Sequence, residues 1–327
     1  MKNWSDLVPW QWVSSSEIAP GVVAIDVPNY LTRRLSVVRT KYPDGRIPLH
    51  HVGVVLGISR ACLQAHILPV LVFDGPPERR KRTPNPDIVR NAADLYARFS
   101  MNRDPFDEVI SEELLKSPAL QMYFAVEHIR DLGAAIGLPT HTAPSEAEMF
   151  AAVMCREGLV DSVISNDSDA LLFGSPHVAK QLQFSKSQIS RARLRDLEFN
   201  VGLDLENLRN LAVLCGCDFY PEGVKGIGPR RGILLLQRYG TLEGVLRSLG
   251  YNSQDREKIA AARESFDEVN YVSVQGLTLK LNPPIIPRMV RMLSVLMSEE
   301  KAESATGRFV RLWREFGNQQ STLEQWL

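Results

Sequence analysis

Seven acidic residues occupy positions where an α/β protein places functional groups. Three short apolar runs, residues 21–25, 68–73 and 160–165, are each closely followed by aspartate. Because the carboxyl ends of parallel strands meet at one edge of a sheet, we expect these aspartates to converge there. Two glutamates on the first turn of a predicted helix and one aspartate after an apolar helix join them. The full set is Asp26, Asp74, Glu146, Glu148, Asp167, Asp169 and Asp218.

Such a set of carboxylates needs cations, because close like charges raise one another's pKa and disfavour the ionised form. Mg²⁺ and Mn²⁺ bind oxygen ligands, and a set without His or Cys disfavours zinc. Two such ions about 4 Å apart activate a water and stabilise the leaving oxygen of a phosphodiester. The carboxylates therefore predict metal-dependent hydrolysis of a nucleic-acid backbone.

Each acidic motif, taken alone, also has a purely structural interpretation. Ser145 and Glu148 have the spacing of a capping box, in which Glu148 only satisfies a backbone amide. Residues 74–76, Asp-Gly-Pro, are typical of a turn. Residues 167–169 are compatible with an ordinary exit from a strand. Only the convergence of all three motifs at strand ends favours a catalytic role of these residues over a purely structural one.

The composition indicates a globular protein. The chain has 327 residues, of which 44% are hydrophobic and 23% charged, and this excludes the disordered, collagen-like and disulfide-stapled classes. Its 38 basic residues balance its 38 acidic ones, so net charge favours neither nucleic acid nor membrane. No apolar run is long enough to span a bilayer, and no leader indicates secretion. Four cysteines without a Cys-x-x-Cys pair favour a reducing cytosolic or nuclear compartment.

The apolar pattern predicts an α/β fold with a mostly parallel central sheet flanked by helices. Helical spacing over residues 31–38 and 50–63 predicts crossover helices between the first two strands. Another helical stripe ends at Gly133 or Gly137, and a further helix covers residues 145–156.

The rest of the chain divides by composition. Pro84, Pro86, Pro105 and Pro118 interrupt a polar insertion, which is predicted to contain only short helical pieces, such as residues 88–99. Helices are predicted over residues 205–215, 229–239 and 241–249, and an amphipathic segment over 289–296. The predicted regions are a nuclease half (1–75), a helical arch (76–120), a second nuclease half (121–202), a duplex-binding helix-two-turn-helix (203–250), a helical region (251–317) and a tail (318–327).

Four motifs occur in the order of one enzyme family. They are Val-Phe-Asp-Gly-Pro-Pro at 72–77, Ala-Pro-Ser-Glu-Ala-Glu at 143–148, Asp-Ser-Asp-Ala-Leu-Leu-Phe-Gly at 167–174 and Gly-Val-Lys-Gly-Ile-Gly-Pro at 223–229. Over residues 20–250 the chain therefore resembles the flap endonuclease family of structure-specific 5′ nucleases, which have a PIN-like fold. The last eight residues resemble the sliding-clamp box of the family, and its place at the very end of the chain is more similar to archaeal-type members.

The resemblance implies a two-metal DNA nuclease that acts at single-strand/double-strand junctions in replication, through Okazaki fragment maturation, and in repair. It assigns Asp26, Asp74, Glu146 and Glu148 to a first Mg²⁺, and Asp167, Asp169 and Asp218 to a second, with Mn²⁺ as a substitute. It also implies that Arg80 or Lys81 of the arch acts on the scissile phosphate. The prolines of this arch leave open whether a free 5′ end threads through it.

The resemblance also implies two binding regions. Glycines 226 and 228 let the backbone approach a phosphate at a helix N-terminus, where the family holds duplex DNA, often with K⁺; the alternative is a glycine-rich helix start. The implied DNA-binding residues are Arg39, Arg90, Lys225, Gly226, Gly228, Arg230 and Arg231. The last eight residues resemble the family's sliding-clamp box, anchored by Gln320, Leu323, Trp326 and Leu327. The alternative is that Trp326 folds back onto the protein.

Other functions remain open on sequence alone. Within the same superfamily, a 5′–3′ exonuclease or a junction-resolving nuclease would use the same carboxylates. A catalytically inactive, clamp-associated DNA-binding scaffold and an RNA-cutting nuclease are the rivals. The expected partners are branched DNA and a PCNA-type sliding clamp, without a membrane. We expect a monomer in the cytoplasm or nucleoid of an archaeon, or in the nucleus of a eukaryote.

Overall fold

A computed structural model describes residues 3–32, 50–76, 85–101, 114, 117–183, 186–294 and 297–324, without the side chains of His50 and residues 318–324. Its strands are β1 (Gln11–Ser14), β2 (Gly21–Asp26), β3 (Ile67–Phe73), β4 (Thr140–Thr142), β5 (Ser162–Ile164), β6 (His177–Gln183) and β7 (Gln188–Arg193). Its helices are α1 (His50–Gln64), α2 (Pro86–Met101), α3 (Pro118–Ile136), α4 (Ala147–Arg156), α5 (Asp169–Leu172), α6 (Leu194–Val201), α7 (Leu205–Cys215), α8 (Pro229–Tyr239), α9 (Leu242–Ser248), α10 (Ser253–Glu264), α11 (Ile286–Ser294) and α12 (Glu299–Glu324).

The chain forms two compact units. Among the described residues, unit 1 contains those within 1–14 and 148–275, and unit 2 contains those within 15–77, 83–147 and 276–327. Strands flanked by helices occur in both, so the α/β fold class is confirmed. Among the described residues, no helix is both long and apolar enough to cross a membrane.

Unit 2 is built on three parallel strands. β2 pairs with β3, and β3 pairs with β4. Every residue of β3 is buried, which explains its uninterrupted apolar sequence. Helices α1 and α3 pack on β3, and the C-terminal helices α11 and α12 pack on α3 and α1. The sequence predicted β2, β3, α1 and α3 within a few residues of their ends, and Gly137 ends α3 in the left-handed conformation.

Helix α2 contains the helical piece predicted over residues 88–99 and extends it to Pro86 at one end and Met101 at the other. It is a continuous helix of 16 residues that begins at Pro86. Proline is tolerated there because the first helical residue needs no intrahelical N–H donor. The apolar side of α2 packs on α3, where Leu95, Tyr96 and Phe99 contact Phe124. The described part of the insertion is therefore anchored on α3 by an aromatic cluster.

A buried histidine pair belongs to this cluster. His51 Nε2 of α1 lies 2.9 Å from His128 Nδ1 of α3, and both side chains are almost fully buried. The rings of Tyr96 and Phe99 pack against His128, with centroids 5.8 and 5.2 Å away. Burial lowers the pKa of His128 to about 4, against a partly opposing effect of Asp131. His128 is therefore neutral at pH 7.

This shifted pKa predicts a pH-dependent stability. The folded pKa of about 4 lies below the ordinary value of 6.5, so the unfolded chain binds more protons between these limits. The contribution of neutral His128 to the free energy of unfolding is complete above about pH 6.5. It falls as the pH drops towards 4, by up to about 3 kcal/mol. Urea unfolding at pH 7.5 and 5.0 measures the difference in the free energy of unfolding. A His128→Gln variant, which cannot titrate, should lose less stability between the two pH values; equal losses would contradict the assignment to His128.

Unit 1 has a mixed arrangement of strands. β5 and β6 are parallel, whereas β6 pairs with β7 and β7 with β1 in antiparallel fashion. Helix α7 packs against α8 and α10, and its Leu211 closely approaches Gly232 of α8. A Cβ at Gly232 would lie 2.5 Å from Leu211 Cδ1, so glycine permits this close packing. The sequence predicted α7 and α8 with their observed ends but missed β1, β6 and β7.

Candidate metal and nucleic-acid site

Three of the predicted acidic residues lie in unit 2. Asp26 is the buried last residue of β2, and its Oδ1 accepts a hydrogen bond from Asn29 N at 3.2 Å. Asp74 follows β3 directly, and because Asp26 pairs with Val72 in parallel register, Asp26 and Asp74 share one edge of these strands. Asp74 Oδ1 accepts from Ala147 N at 2.8 Å, at the start of α4 and next to Glu146. Asp26 and Asp74 thus share a strand edge, and Asp74 contacts the start of α4, whereas the role of these residues as metal ligands stays a prediction.

Gly75 keeps the Asp74 segment close to the segment before α4. Its N–H donates to Ser145 O at 2.6 Å. A Cβ at this position would lie 2.1 Å from Ala143 O, a backbone atom that cannot simply rotate away. The Asp-Gly-Pro sequence is therefore more than an isolated turn, because its glycine is needed for the contact that brings Asp74 to α4.

The other acidic residues lie in unit 1. Asp167 Oδ1 accepts from the backbone amides of Ser168 (2.6 Å) and Asp169 (3.3 Å) after β5. Asp169 is the first residue of α5. Glu148 Oε1 accepts from Ala170 N at 3.0 Å, so Glu148 and Asp169 lie at the same end of α5. This contact joins Glu148 to a distant segment, unlike the local contact that a capping box alone would require.

Asp218 is exposed on the turn that follows α7. Cys217 and Tyr220 exchange two backbone hydrogen bonds across this turn. Burial raises the pKa of the Cys217 thiol to about 11, and the negative charges of Asp169 and Asp218 add to this effect. Both carboxylates therefore lie close enough to Cys217 to act on it electrostatically, and the thiol stays protonated at neutral pH.

The chemistry of these residues fits hard cations. The predicted ligands are all carboxylates, and all except Asp26 are partly or fully exposed to solvent. In the described parts of the chain, no group of three or more His, Cys, Asp or Glu side chains is arranged to hold a metal ion. The division of the seven carboxylates between two ions therefore stays a prediction.

Two residues near Asp74 were not predicted. Tyr123 of α3 is half-buried, and its pKa is raised by burial and then by the negative charge of Asp74. Arg130, two turns further along α3, donates from Nη1 to Thr142 Oγ1 at 2.6 Å and lies 4.4 Å over the ring of Phe73. No local motif marks either residue, because both lie beside the apolar stripe of an ordinary amphipathic helix.

The predicted duplex-binding turn lies between α7 and α8. Gly226 adopts φ +76°, where non-glycine residues are strained, and Gly228 forms the N-cap of α8 without a side chain. Arg231 Nη1 donates to Gly226 O at 3.3 Å across the turn. Lys225, Arg230 and Arg231 are exposed. The helix N-terminus and these cations give a surface suited to phosphate.

The remaining predicted residues lie on helix α2, in the last helix, or outside the described residues. Arg90 lies on the exposed face of α2, where it pairs with Asp87. Arg39, Arg80 and Lys81 lie outside the described residues, as do Trp326 and Leu327. The backbone of Gln320 and Leu323 belongs to α12, which continues to Glu324. The structure thus has a helix over residues 318–324, where the sequence predicted a free tail.

Comparisons with known proteins find similarity to flap endonucleases. The family model "XPG I-region" matches residues 137–218, a range that contains five of the seven carboxylates. Flap endonuclease 1 of Ostreococcus tauri is 30% identical over 76% of this chain, and the chain covers only 65% of that protein's length. Flap endonuclease 1 of Methanothrix thermoacetophila is 28% identical over 98% of both chains.

A solved structure agrees in fold. The flap endonuclease-1 structure from Methanococcus jannaschii matches with a TM-score of 0.68 and 25% identity, over 95% of this chain and 98% of that one. The sequence motifs, the family model and this fold point to the same relatives. The resemblance to the flap endonuclease family is therefore confirmed: the chain is similar to flap endonuclease 1 proteins in sequence and in fold.

Proposed function

We propose that this protein is a structure-specific 5′ nuclease that hydrolyses DNA at single-strand/double-strand junctions, with 5′ flaps as its main substrate. The carrying observation is similarity to an archaeal flap endonuclease 1 along 98% of both chains, in a sequence with acidic residues at all seven motif positions. The family's roles would place the protein in Okazaki fragment maturation and DNA repair.

We assign Mg²⁺ as the cofactor. Asp26, Asp74, Glu146 and Glu148 would hold one ion, and Asp167, Asp169 and Asp218 the other, with Mn²⁺ as a substitute. When bound, the ions supply the positive charge that activates a water and stabilises the leaving oxygen. The chain itself orients the carboxylates, because the amides of Ala147 and Ala170 fix one oxygen each of Asp74 and Glu148.

The DNA would be held mainly through its phosphates. Backbone amides at the start of α8, with Lys225, Arg230 and Arg231 beside them, suit the downstream duplex, and the turn at Gly226 and Gly228 suits K⁺. Arg90 and Arg39 would add further phosphate contacts, and Arg80 or Lys81 would contact the scissile phosphate. Contacts of this kind position DNA without reading its sequence, as a nuclease that selects structure requires.

One cleavage assay tests the activity against its rivals. An end-labelled double flap, a nicked duplex, a bubble and a four-way junction are incubated with the protein in Mg²⁺ and in EDTA, beside a matched RNA flap. We expect one Mg²⁺-dependent cut at the base of the DNA flap. Degradation from the nick would instead indicate a 5′–3′ exonuclease, and dominant junction cutting a resolving enzyme. Binding without cutting would indicate an inactive scaffold, and dominant RNA cutting would refute the DNA assignment.

We further propose that the C-terminal residues bind a PCNA-type sliding clamp. Deleting residues 320–327 should leave cutting of free DNA unchanged and weaken clamp binding at least about tenfold, since a few buried anchors carry most interface energy. Trp326→Ala should reproduce most of this loss, whereas Gln325→Ala serves as the matched control. Calorimetry with the purified clamp measures the affinities; an unchanged affinity after the deletion would refute the assignment.

The cellular setting follows from this function. We propose that the protein works as a monomer wherever the cell keeps its DNA, in the cytoplasm and nucleoid of an archaeon or in the nucleus of a eukaryote.

A further inference from the structure

The short helix α5 is supported by side chains from distant parts of unit 1. With four residues it is too short to be stable alone, because helix nucleation is costly and few hydrogen bonds follow it. At its first turn, Ala170 N donates to Glu148. At its last residue, Leu172 O accepts a hydrogen bond from Arg209 Nε of α7 at 2.7 Å. Both ends of the helix that begins with Asp169 are thus fixed from outside.

Arg209 is itself held in a charged network, in which the two arginines are buried and the two carboxylates are partly exposed. Its side chain is only 9% exposed, and its Nη1 lies 3.4 Å from Asp267 Oδ1. Arg263 of α10 contacts the same Asp267 oxygen at 3.1 Å and donates to Asn210 Oδ1 at 3.1 Å. Arg263 also pairs with Glu206. Two guanidinium groups thus face two carboxylates, and a buried guanidinium requires such complete pairing.

The guanidinium of Arg209 is held by contacts with two groups, the carbonyl of Leu172 and the carboxylate of Asp267. Burial, and then the positive charge of Arg263, lower the pKa of its guanidinium from the ordinary value. A planar guanidinium with several donors can contact the Leu172 carbonyl and Asp267 together, which one ammonium group cannot do in the same way. The Asp267 contact therefore sets the direction from which Arg209 reaches α5.

An aromatic cluster links the same segments. Phe173 follows α5, Phe219 follows Asp218, and Phe266 precedes Asp267. The ring of Phe266 lies 5.7 Å from that of Phe173 and 5.0 Å from that of Phe219, measured between centroids. The 3-10 helix Ser265–Tyr271 thus supplies both Asp267 and Phe266. It supports the segments that carry Asp169 and Asp218 with polar and apolar contacts.

We propose that Arg209 is a positioning residue for Asp169, acting through the carbonyl of Leu172, with Asp267 holding its guanidinium in place. This inference rests on the proposed function, in which Asp169 binds a metal ion. Residues that orient a metal ligand typically change metal affinity or activity by about 10- to 100-fold when replaced. Arg209 touches neither the predicted ligands nor, by this proposal, the DNA.

The test compares two arginines of one network. Arg209→Met removes the hydrogen bond to Leu172 O and the contact with Asp267, whereas Arg263→Met breaks the same network without touching α5. Two readouts need no DNA: Mn²⁺ binding, followed by electron paramagnetic resonance, and amide hydrogen exchange of residues 167–173 in the metal-free protein. We expect Arg209→Met to weaken Mn²⁺ binding at least about tenfold and to speed exchange in this segment. Arg263→Met should do neither to that extent.

Further variants guard against simple loss of folding. Arg209→Lys keeps a donor for the Leu172 carbonyl without the second contact of the guanidinium, and it should recover part of the Mn²⁺ affinity. In cleavage assays, Arg209→Met should lower kcat and raise the Mg²⁺ requirement while leaving flap affinity in EDTA unchanged. Equal effects of Arg209→Met and Arg263→Met, or wild-type Mn²⁺ affinity in Arg209→Met, would overturn the proposal. If the wild type cuts no DNA, the proposed function fails, yet the Mn²⁺ and exchange measurements still decide the role of Arg209.

Discussion

Asp169→Asn is expected to slow flap cleavage by at least about a thousandfold, or about 4 kcal/mol of transition-state stabilisation, at saturating Mg²⁺. Asparagine has nearly the shape of aspartate but lacks the negative charge that a hard cation requires. Phosphate contacts such as those proposed for Arg230 and Arg231 do not involve Asp169. The affinity for a flap in EDTA should therefore stay within about threefold of the wild-type value. Single-turnover cleavage and fluorescence anisotropy measure the two quantities.

Asp161→Asn is the matched control for this change. Asp161 is an exposed residue in the same unit, immediately before β5 rather than after it. The same loss of charge at the other end of the strand should leave cleavage at the wild-type rate. If Asp169→Asn cut as fast as this control, Asp169 would be removed from the set of metal ligands.

Gly137→Ala is expected to destabilise unit 2 by about 3 kcal/mol or more. Gly137 ends α3 with φ +79°, a conformation that costs alanine about 1 kcal/mol by itself. In addition, a Cβ there would lie 1.9 Å from Asn282 O. The backbone must then separate where Asn282 N donates to Gly137 O at 2.7 Å, at the contact between α3 and the segment before α11. The midpoint of urea unfolding measures the loss.

Gly276→Ala separates the two costs. Gly276 belongs to the same unit and has φ +75°, but no atom lies within 4 Å of its would-be Cβ. It should therefore show only the conformational cost of about 1 kcal/mol. Similar losses in both variants would mean that the contact between Gly137 and Asn282 adds little to stability.

The parts of the fold with strong local signals were predictable from sequence. The apolar runs of β2 and β3 are buried strands, and α7 and α8 are delimited by Asp204, Pro229 and Gly240. By contrast, β6 and β7 carry polar residues such as Lys180 and Gln188, and they are defined by antiparallel pairing. That pairing depends on residues far apart in sequence, so local pattern alone does not reveal it.

In the candidate site, too, the residues with local sequence signals can be told apart from those defined by contacts between distant parts of the chain. The sequence alone singles out the seven carboxylates as candidates because strand ends and short motifs mark them. Arg209 and Arg130 could not be singled out from the sequence, because their contacts are with residues far away in the chain. Arg209 contacts the carbonyl of Leu172, and Arg130 lies over the ring of Phe73. Likewise, Pro86 alone does not indicate whether it interrupts a helix or begins one; the packing of α2 on α3 decides this.

The pairing of β1 with β7 has a consequence for biosynthesis. Gln11 pairs with Arg191, so the N-terminal strand leaves the ribosome about 180 residues before its partner. At about 5 to 20 residues per second, this interval lasts roughly 10 to 40 s. During that time the backbone groups of β1 and the nearby Trp4, later buried, have no native partner in unit 1. Slow synthesis should therefore lengthen the period in which nascent chains need a chaperone, whereas an N-terminal truncation before β2 would remove that dependence.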